Sequence, residues 1–156
     1  MTRRAGEGSG AGEGGSLAPA VPIIAMMLLL LGGLGIDGSR QLNARGEAVA
    51  YAEEASRAGA QSVDLSADQL RLLPSGDVRA RVDKYCAAIL TQKAVTDCHF
   101  VRIDPVSDSD PRRLVVVTKV KLEVNATLLG IVGVRTLTAS SLARARPYEG
   151  IDTAEK

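Results

Sequence analysis

Aromatic side chains are scarce in this chain, and tryptophan is absent. Its 156 residues include three tyrosines, one phenylalanine and no tryptophan. A surface that binds single-stranded nucleic acid stacks the bases on several clustered aromatic rings, so no such surface is expected here. The formal net charge of +1 gives no general attraction to nucleic acid or to acidic substrates. Because aromatic residues are so few, any hydrophobic core must consist of aliphatic side chains.

Motifs for catalysis and metal binding are also missing. The chain has one histidine, His99, and contains neither a phosphate-binding glycine loop nor a G-x-S-x-G sequence. Cys98 and His99 are neighbours on a predicted strand, where successive side chains point to opposite faces, so they do not form a nucleophile pair. Asp108 and Asp110 offer too few oxygen ligands for a calcium loop. We predict no catalytic residue, no cofactor and no metal site, and hence a scaffold or assembly protein rather than an enzyme.

The two cysteines, Cys86 and Cys98, bear on the compartment of the protein. If this part of the chain lies outside the cytoplasm, we expect them to form a disulfide. Closing so short a loop would contribute about 3 kcal/mol by the loop-entropy estimate. The alternative is a pair of free thiols.

A long uncharged segment lies near the N-terminus. Residues 1–15 are rich in glycine and show no apolar periodicity, which predicts a flexible tail. Residues 16–36 carry no charged side chain, and a helix of about 20 residues crosses the hydrocarbon core of a bilayer. Pro19 and Pro22 fall in its first turns, where a missing amide donor costs least. We predict a retained transmembrane helix over 16–36; a cleaved signal peptide and a buried helix of a soluble protein are the alternatives.

Charges on the two sides of this segment give opposing indications of topology. Arg3 and Arg4 favour a cytoplasmic N-terminus, whereas Arg40 and Arg45 on the other side oppose it. The cysteine pair favours an extracytoplasmic C-terminal part. We predict a single-pass protein of the cell membrane, in contact with the lipid bilayer, with its N-terminus in the cytoplasm.

The helical pattern continues beyond the uncharged segment into an alanine-rich stretch at 37–62. Small residues recur there every four positions and form one face of a helix. A face of small side chains lets another backbone approach closely. It packs either against the chain's own domain or against helices of other subunits. The residues of this predicted helix-packing face are Ala44, Ala48, Ala52, Ser56 and Ala60.

Residues 63–147 predict a small α+β domain. Apolar residues at helical spacing indicate a helix over 77–93, and alternating apolar and polar residues indicate strands. We expect a three-stranded antiparallel sheet with a helix on its apolar face, followed by a flexible tail at 148–156. The predicted strands are 98–103, 113–124 and 135–146, with a polar hairpin loop at 105–111.

An apolar segment, 127–134, stands where a polar turn between two strands would be expected. Exposed apolar patches commonly contact a membrane or a partner protein. The alternative is that the segment folds over the end of the sheet and completes the core. The candidate contact residues are Leu128, Leu129, Ile131 and Val132.

Several short sequences resemble the TadE/TadG-like proteins of tight-adherence, or Flp-type, pilus systems, particularly the actinobacterial versions. They are DGSR at 37–40, NAR at 43–45, AEEASRAGAQ at 52–61, TLLGIVGV at 127–134 and ARP at 145–147. The resemblance implies a minor pilin-like or pilus-assembly membrane protein without enzymatic activity. Its expected partners are other membrane proteins of the pilus or secretion system.

The same resemblance raises the question of processing by a prepilin peptidase. In many such proteins this enzyme cuts after a glycine, and a glutamate stands five residues later. Gly15 followed by Ser16 fits the cut, but the fifth position holds Ala20. We therefore favour a permanently anchored assembly factor over a polymerised subunit. An envelope binding module unrelated to pili and a secreted protein remain the alternatives.

Overall fold

The structure, a computed structural model, describes residues 19–66, 71–107 and 110–147, with only the backbone at 106–107 and 110–113. The predicted tails at 1–15 and 148–156 lie outside the described residues. So do Gly15, Ser16 and the start of the predicted membrane segment.

The first element is a single long helix, α1, Ala20–Ala60. Its 41 residues give a length of about 60 Å. Pro19 lies at the N-cap and Pro22 in the first turn, where the helix needs no amide donor. The helix passes without interruption from the apolar segment into the alanine-rich stretch, as predicted.

The two halves of α1 differ in their surroundings. Every large apolar side chain from Val21 to Leu34 is exposed, with between 45% and 69% of its surface accessible. The helix contains an 18-residue window of mean hydropathy 2.1, of which 11% is buried. It is thus long and apolar enough to cross a membrane.

The sheet is an antiparallel meander in the order β1-β2-β3, which confirms the predicted three strands. The strands are Val95–Ser107, Asp110–Asn125 and Thr136–Ala145. The predicted polar loop at 105–111 is wrong in extent, because Pro105 pairs with Leu114 and Ser107 with Asp110. Proline is tolerated there because β1 is an edge strand.

The second helix, α2, Ser75–Ile89, connects α1 to the sheet. It ends four residues before the predicted end at Lys93, since the chain turns after Leu90 to enter β1. Its buried face packs on α1 and β1 and consists of Val78, Val82, Cys86 and Ile89. The Cys86–Cys98 disulfide joins this face to β1, as predicted.

The second half of α1 lies across β2 and β3. Its contact face is made of small residues, so the helix backbone approaches the sheet closely. At the centre, the buried hydroxyl of Thr118 donates a hydrogen bond to the carbonyl of Ala52 at 2.8 Å. The buried residues of this face are Ala44, Ala48, Ala52, Ala55, Ser56, Gly59 and Ala60.

This arrangement decides between the two alternatives for the small-residue face. All five predicted positions, Ala44, Ala48, Ala52, Ser56 and Ala60, are at most 3% exposed within a single chain. The alternative in which they form a surface for helices of other subunits does not describe this arrangement, because the chain's own sheet covers them. The alternative, packing against its own domain, describes the structure.

Two glycines of α1 provide a matched test of this close approach. A Cβ atom on Gly59 would lie 2.8 Å from methyl groups of both Val116 and Val82, whereas a Cβ on Gly46 would meet nothing within 4 Å. We predict that Gly59→Ala destabilises the folded chain by about 1–3 kcal/mol through overpacking. Gly46→Ala should instead stabilise it by about 0.5–1 kcal/mol through helix propensity.

Thermal unfolding of the full chain in detergent micelles, followed by circular dichroism, measures both effects. The two midpoints should move in opposite directions from that of the wild type. Equal midpoints for the two variants would contradict the close contact between α1 and the sheet.

Candidate functional site

The candidate site lies where the exposed half of α1 meets the domain. Asp37 is the first charged residue after the apolar segment, and it is fully buried. It faces the connection between β2 and β3, residues 126–135, which we call the apolar loop. The loop contains a 3-10 turn, Leu129–Val132, and is closed by a hydrogen bond from the Ala126 amide to the Arg135 carbonyl at 2.9 Å.

The carboxylate of Asp37 accepts three hydrogen bonds from consecutive backbone amides of the apolar loop. Its Oδ1 accepts from the Thr127 amide at 2.8 Å. Its Oδ2 accepts from the amides of Leu128 at 2.9 Å and Leu129 at 2.7 Å. Successive amides that point the same way form an anion-binding concavity, and here a side chain from α1 occupies it.

These contacts explain how a carboxylate can be buried in an apolar neighbourhood. The amide of Leu129 contributes most to lowering the pKa of Asp37, followed by that of Thr127, and the Leu128 amide and nearby Arg40 add to the effect. Burial acts in the opposite direction but is outweighed. The Arg40 guanidinium also donates to the hydroxyl of Thr127, so it contacts the same end of the loop.

One turn before Asp37, Leu128 packs directly against the backbone of Gly33. Gly33 is buried, and a Cβ atom placed on it would lie 2.7 Å from the Cβ of Leu128. Any side chain at this position would displace the loop. Gly33 and Asp37 are four residues apart and share one face of α1, so the loop contacts two successive turns of the helix.

The remaining apolar side chains of the loop point away from the protein. Ile131 is 76% exposed, Val132 58% and Val134 42%, whereas Leu128 and Leu129 are half-buried. The alternative that this segment folds over the sheet and completes the core is therefore wrong for Ile131 and Val132. Their predicted contact with a membrane or a partner stays a prediction.

The described residues outside this junction give no second candidate of comparable definition. Among residues 19–66, 71–107 and 110–147, no group of three or more His, Cys, Asp or Glu side chains could hold a metal ion. His99 Nδ1 lies 2.9 Å from Asp97 Oδ1 at an exposed site. Tyr85 donates to Glu54 at 2.6 Å, and burial together with this carboxylate raises the pKa of Tyr85. The first contact lies within β1, and the second joins α2 to α1.

The position of Asp37 at the end of the apolar segment is evident from the sequence, but its hydrogen-bond partners are not. The donors are backbone amides some 90 residues further along the chain, and amides carry no residue signature. The one signal was indirect: a lone carboxylate next to an apolar helix has to find several donors or remain in water.

Comparison with known proteins bears on α1. Residues 15–62, less than half of the chain, match the family model Tad, described as Flp pilus-assembly TadE/G-like. The predicted resemblance to TadE/TadG-like proteins is thus confirmed for this segment, which includes Gly33 and Asp37. The similarity predicted for 127–134 and 145–147 lies outside the match. No curated protein and no solved structure matches the chain.

The charge of Asp37 predicts a pH dependence. Because folding lowers the pKa of this carboxyl, its contribution to stability is fully present above the ordinary value of about 3.9. It is lost as the pH falls through the lowered value, when the folded state takes up the proton. We predict that the wild type is more stable than Asp37→Asn at pH 7, and that the difference shrinks below about pH 4.

Urea unfolding of the full chain in detergent micelles between pH 2 and 7 measures this difference. Glu47→Gln removes an exposed carboxylate from the same helix and serves as the control; it should match the wild type at pH 7. A wild-type advantage over Asp37→Asn that stays constant across the whole range would contradict a role for the charge.

Proposed function

We propose that this chain is a membrane-anchored assembly component of a Flp-type pilus system that acts through protein–protein contacts and not through catalysis. The observation that supports this most directly is the family match over 15–62, which coincides with α1 and its exposed apolar half. The match indicates a pilus-assembly protein in general, and the structure suggests how such a protein would be anchored.

The anchor is the N-terminal half of α1. A soluble protein rarely exposes so large a continuous apolar surface. A bilayer would cover every exposed side chain from Val21 to Leu34 and would end near Asp37, the first charge. The domain would then lie directly at the membrane surface, because α1 continues without a linker from the bilayer to the half that packs on the sheet.

A permanent anchor fits this chain better than a processed, polymerising subunit. The pilin pattern expects a glutamate at the position of Ala20, and that residue offers no carboxylate to pair with the N-terminus of a neighbouring subunit. In addition, the small-residue face of α1 is occupied by the chain's own sheet. Partner helices would therefore contact the exposed apolar half, within the bilayer.

The orientation that we propose places the N-terminus in the cytoplasm and the domain outside it. The disulfide between Cys86 and Cys98 supports this orientation, since disulfides persist in oxidising compartments. The minor pilin-like role and contact with a prepilin peptidase are finer possibilities that follow from the resemblance alone.

The test is made in the cell that encodes the protein. Deleting the gene should remove assembled Flp-type pili from the surface while the pilin subunit is still made, because an assembly factor acts after synthesis. Wild-type complementation should restore pili. A variant with 16–32 replaced by a cleavable signal peptide keeps Gly33 and Asp37; it should be exported but should not restore pili, because it lacks most of the anchor. Normal pili after deletion would overturn the proposal.

The intact mass of the chain, extracted from membranes after an alkaline wash, checks the anchor separately. We expect a chain that retains residues 16–36. A mature N-terminus beyond Ile36 would overturn permanent anchoring, and a full-length protein that washes off the membrane would overturn anchoring altogether.

A further inference from the structure

The exposed apolar side chains of the apolar loop adjoin the exposed half of α1. Leu128 sits on Gly33, inside the uncharged segment, so the loop lies directly beside the helix surface that contains Leu30 and Leu34. Ile131, Val132 and Val134 belong to the same loop and are also exposed. The two exposed apolar regions are thus neighbours in space, although they are far apart in sequence.

The loop also reaches the depth of the uncharged segment. Gly33 precedes Asp37 by four residues, and a helix rises about 1.5 Å per residue, so the backbone of Gly33 lies about 6 Å along the helix axis from that of Asp37, towards the N-terminus. If α1 spans the bilayer up to Asp37, this contact lies below the level of the first charge and at the edge of the hydrocarbon region.

Several backbone amides of the loop have hydrogen-bond acceptors within the protein, which suits a segment at the edge of the hydrocarbon region. An amide donor without a hydrogen-bond partner is costly in hydrocarbon, because no water is there to replace the partner. Here the amides of Thr127, Leu128 and Leu129 donate to Asp37. Three further amides donate within the loop, each at 3.1 Å: Ile131 to the Leu128 carbonyl, Gly133 to the Gly130 carbonyl and Val134 to the Leu129 carbonyl.

Basic residues stand at both ends of the loop. Arg40 contacts Thr127 where the loop begins, and Arg135 follows Val134 where it ends. Both arginines are exposed. Arginine at a membrane surface keeps its charge among the headgroups while its stem lies along apolar surface. Apolar side chains in the middle of the loop and arginines at its two ends match the polarity of a membrane interface, which is apolar inside and charged at the headgroups.

We propose that the apolar loop is a second membrane contact, in which Ile131, Val132 and Val134 enter the lipid leaflet beside α1. This inference rests on the proposed anchor. Lipid is the occupant that the structure favours, because the loop continues the surface of a membrane helix and carries no charge between Thr127 and Val134. With a single membrane helix, the domain can turn about the helix axis and tilt against the membrane plane. A second contact with the bilayer would restrict both motions.

The chain contains no tryptophan, so a single introduced tryptophan is an unambiguous fluorescent probe. Full-length Ile131→Trp is reconstituted at low density into phosphatidylcholine vesicles with brominated acyl chains, which quench tryptophan on contact, and into unbrominated vesicles for reference. Val132→Trp repeats the measurement at a second position. Leu30→Trp reports on the anchor. Leu142→Trp, at a 62% exposed leucine of β3, is the matched control outside the bilayer.

We expect bromolipid to quench Ile131→Trp and Val132→Trp by at least half as much as Leu30→Trp, and to leave Leu142→Trp nearly unquenched. If Leu30→Trp is quenched but both loop variants behave like Leu142→Trp, the loop contact is wrong and the anchor stands. If Leu30→Trp is itself unquenched, the anchor fails and the loop contact with it. Loop variants that acrylamide cannot reach and bromolipid does not quench would indicate a cover of protein, which also overturns the proposal.

Discussion

The hydrogen bonds between the Asp37 carboxylate and three loop amides join parts of the chain that lie about 90 residues apart. They connect the end of the exposed apolar half of α1 to the turn between β2 and β3. An ionised carboxylate in this position would be costly without donors, and a row of buried amides would be costly without an acceptor. The hydrogen bonds therefore offset the cost of removing both the carboxylate and the amides from water, and they hold the loop against the helix.

The rest of the domain is attached to the same helix by a different kind of contact. Small residues along α1 let β2 and β3 approach the helix backbone, and the Thr118 hydroxyl reaches the carbonyl of Ala52. The disulfide then ties α2 to β1. Helix α1 is thus held by the chain's own sheet along one half and by the apolar loop at Asp37.

The sequence was sufficient to predict the two helices and the three strands, because most of them follow from a local period, but not where α2 ends or how far β1 extends. The uncharged segment, the four-residue recurrence of alanine and the alternation in β2 and β3 predicted the helix and the sheet. The partner of the small-residue face was not predictable, since small side chains fit a sheet as well as a helix. The roles of Gly33 and Asp37 were missed because their partners are a leucine and backbone amides brought near only by the closed fold.

Hydrogen exchange at the amides of Thr127, Leu128 and Leu129, with the full chain embedded in lipid, tests the Asp37 junction most directly. We expect slow exchange in the wild type and in Glu47→Gln. In Asp37→Asn, exchange should be faster on the order of tenfold or more, since a hydrogen bond to a charged group contributes about 1.5–3 kcal/mol. Fast exchange of these amides in the wild type, or equal rates in wild type and Asp37→Asn, would contradict the account.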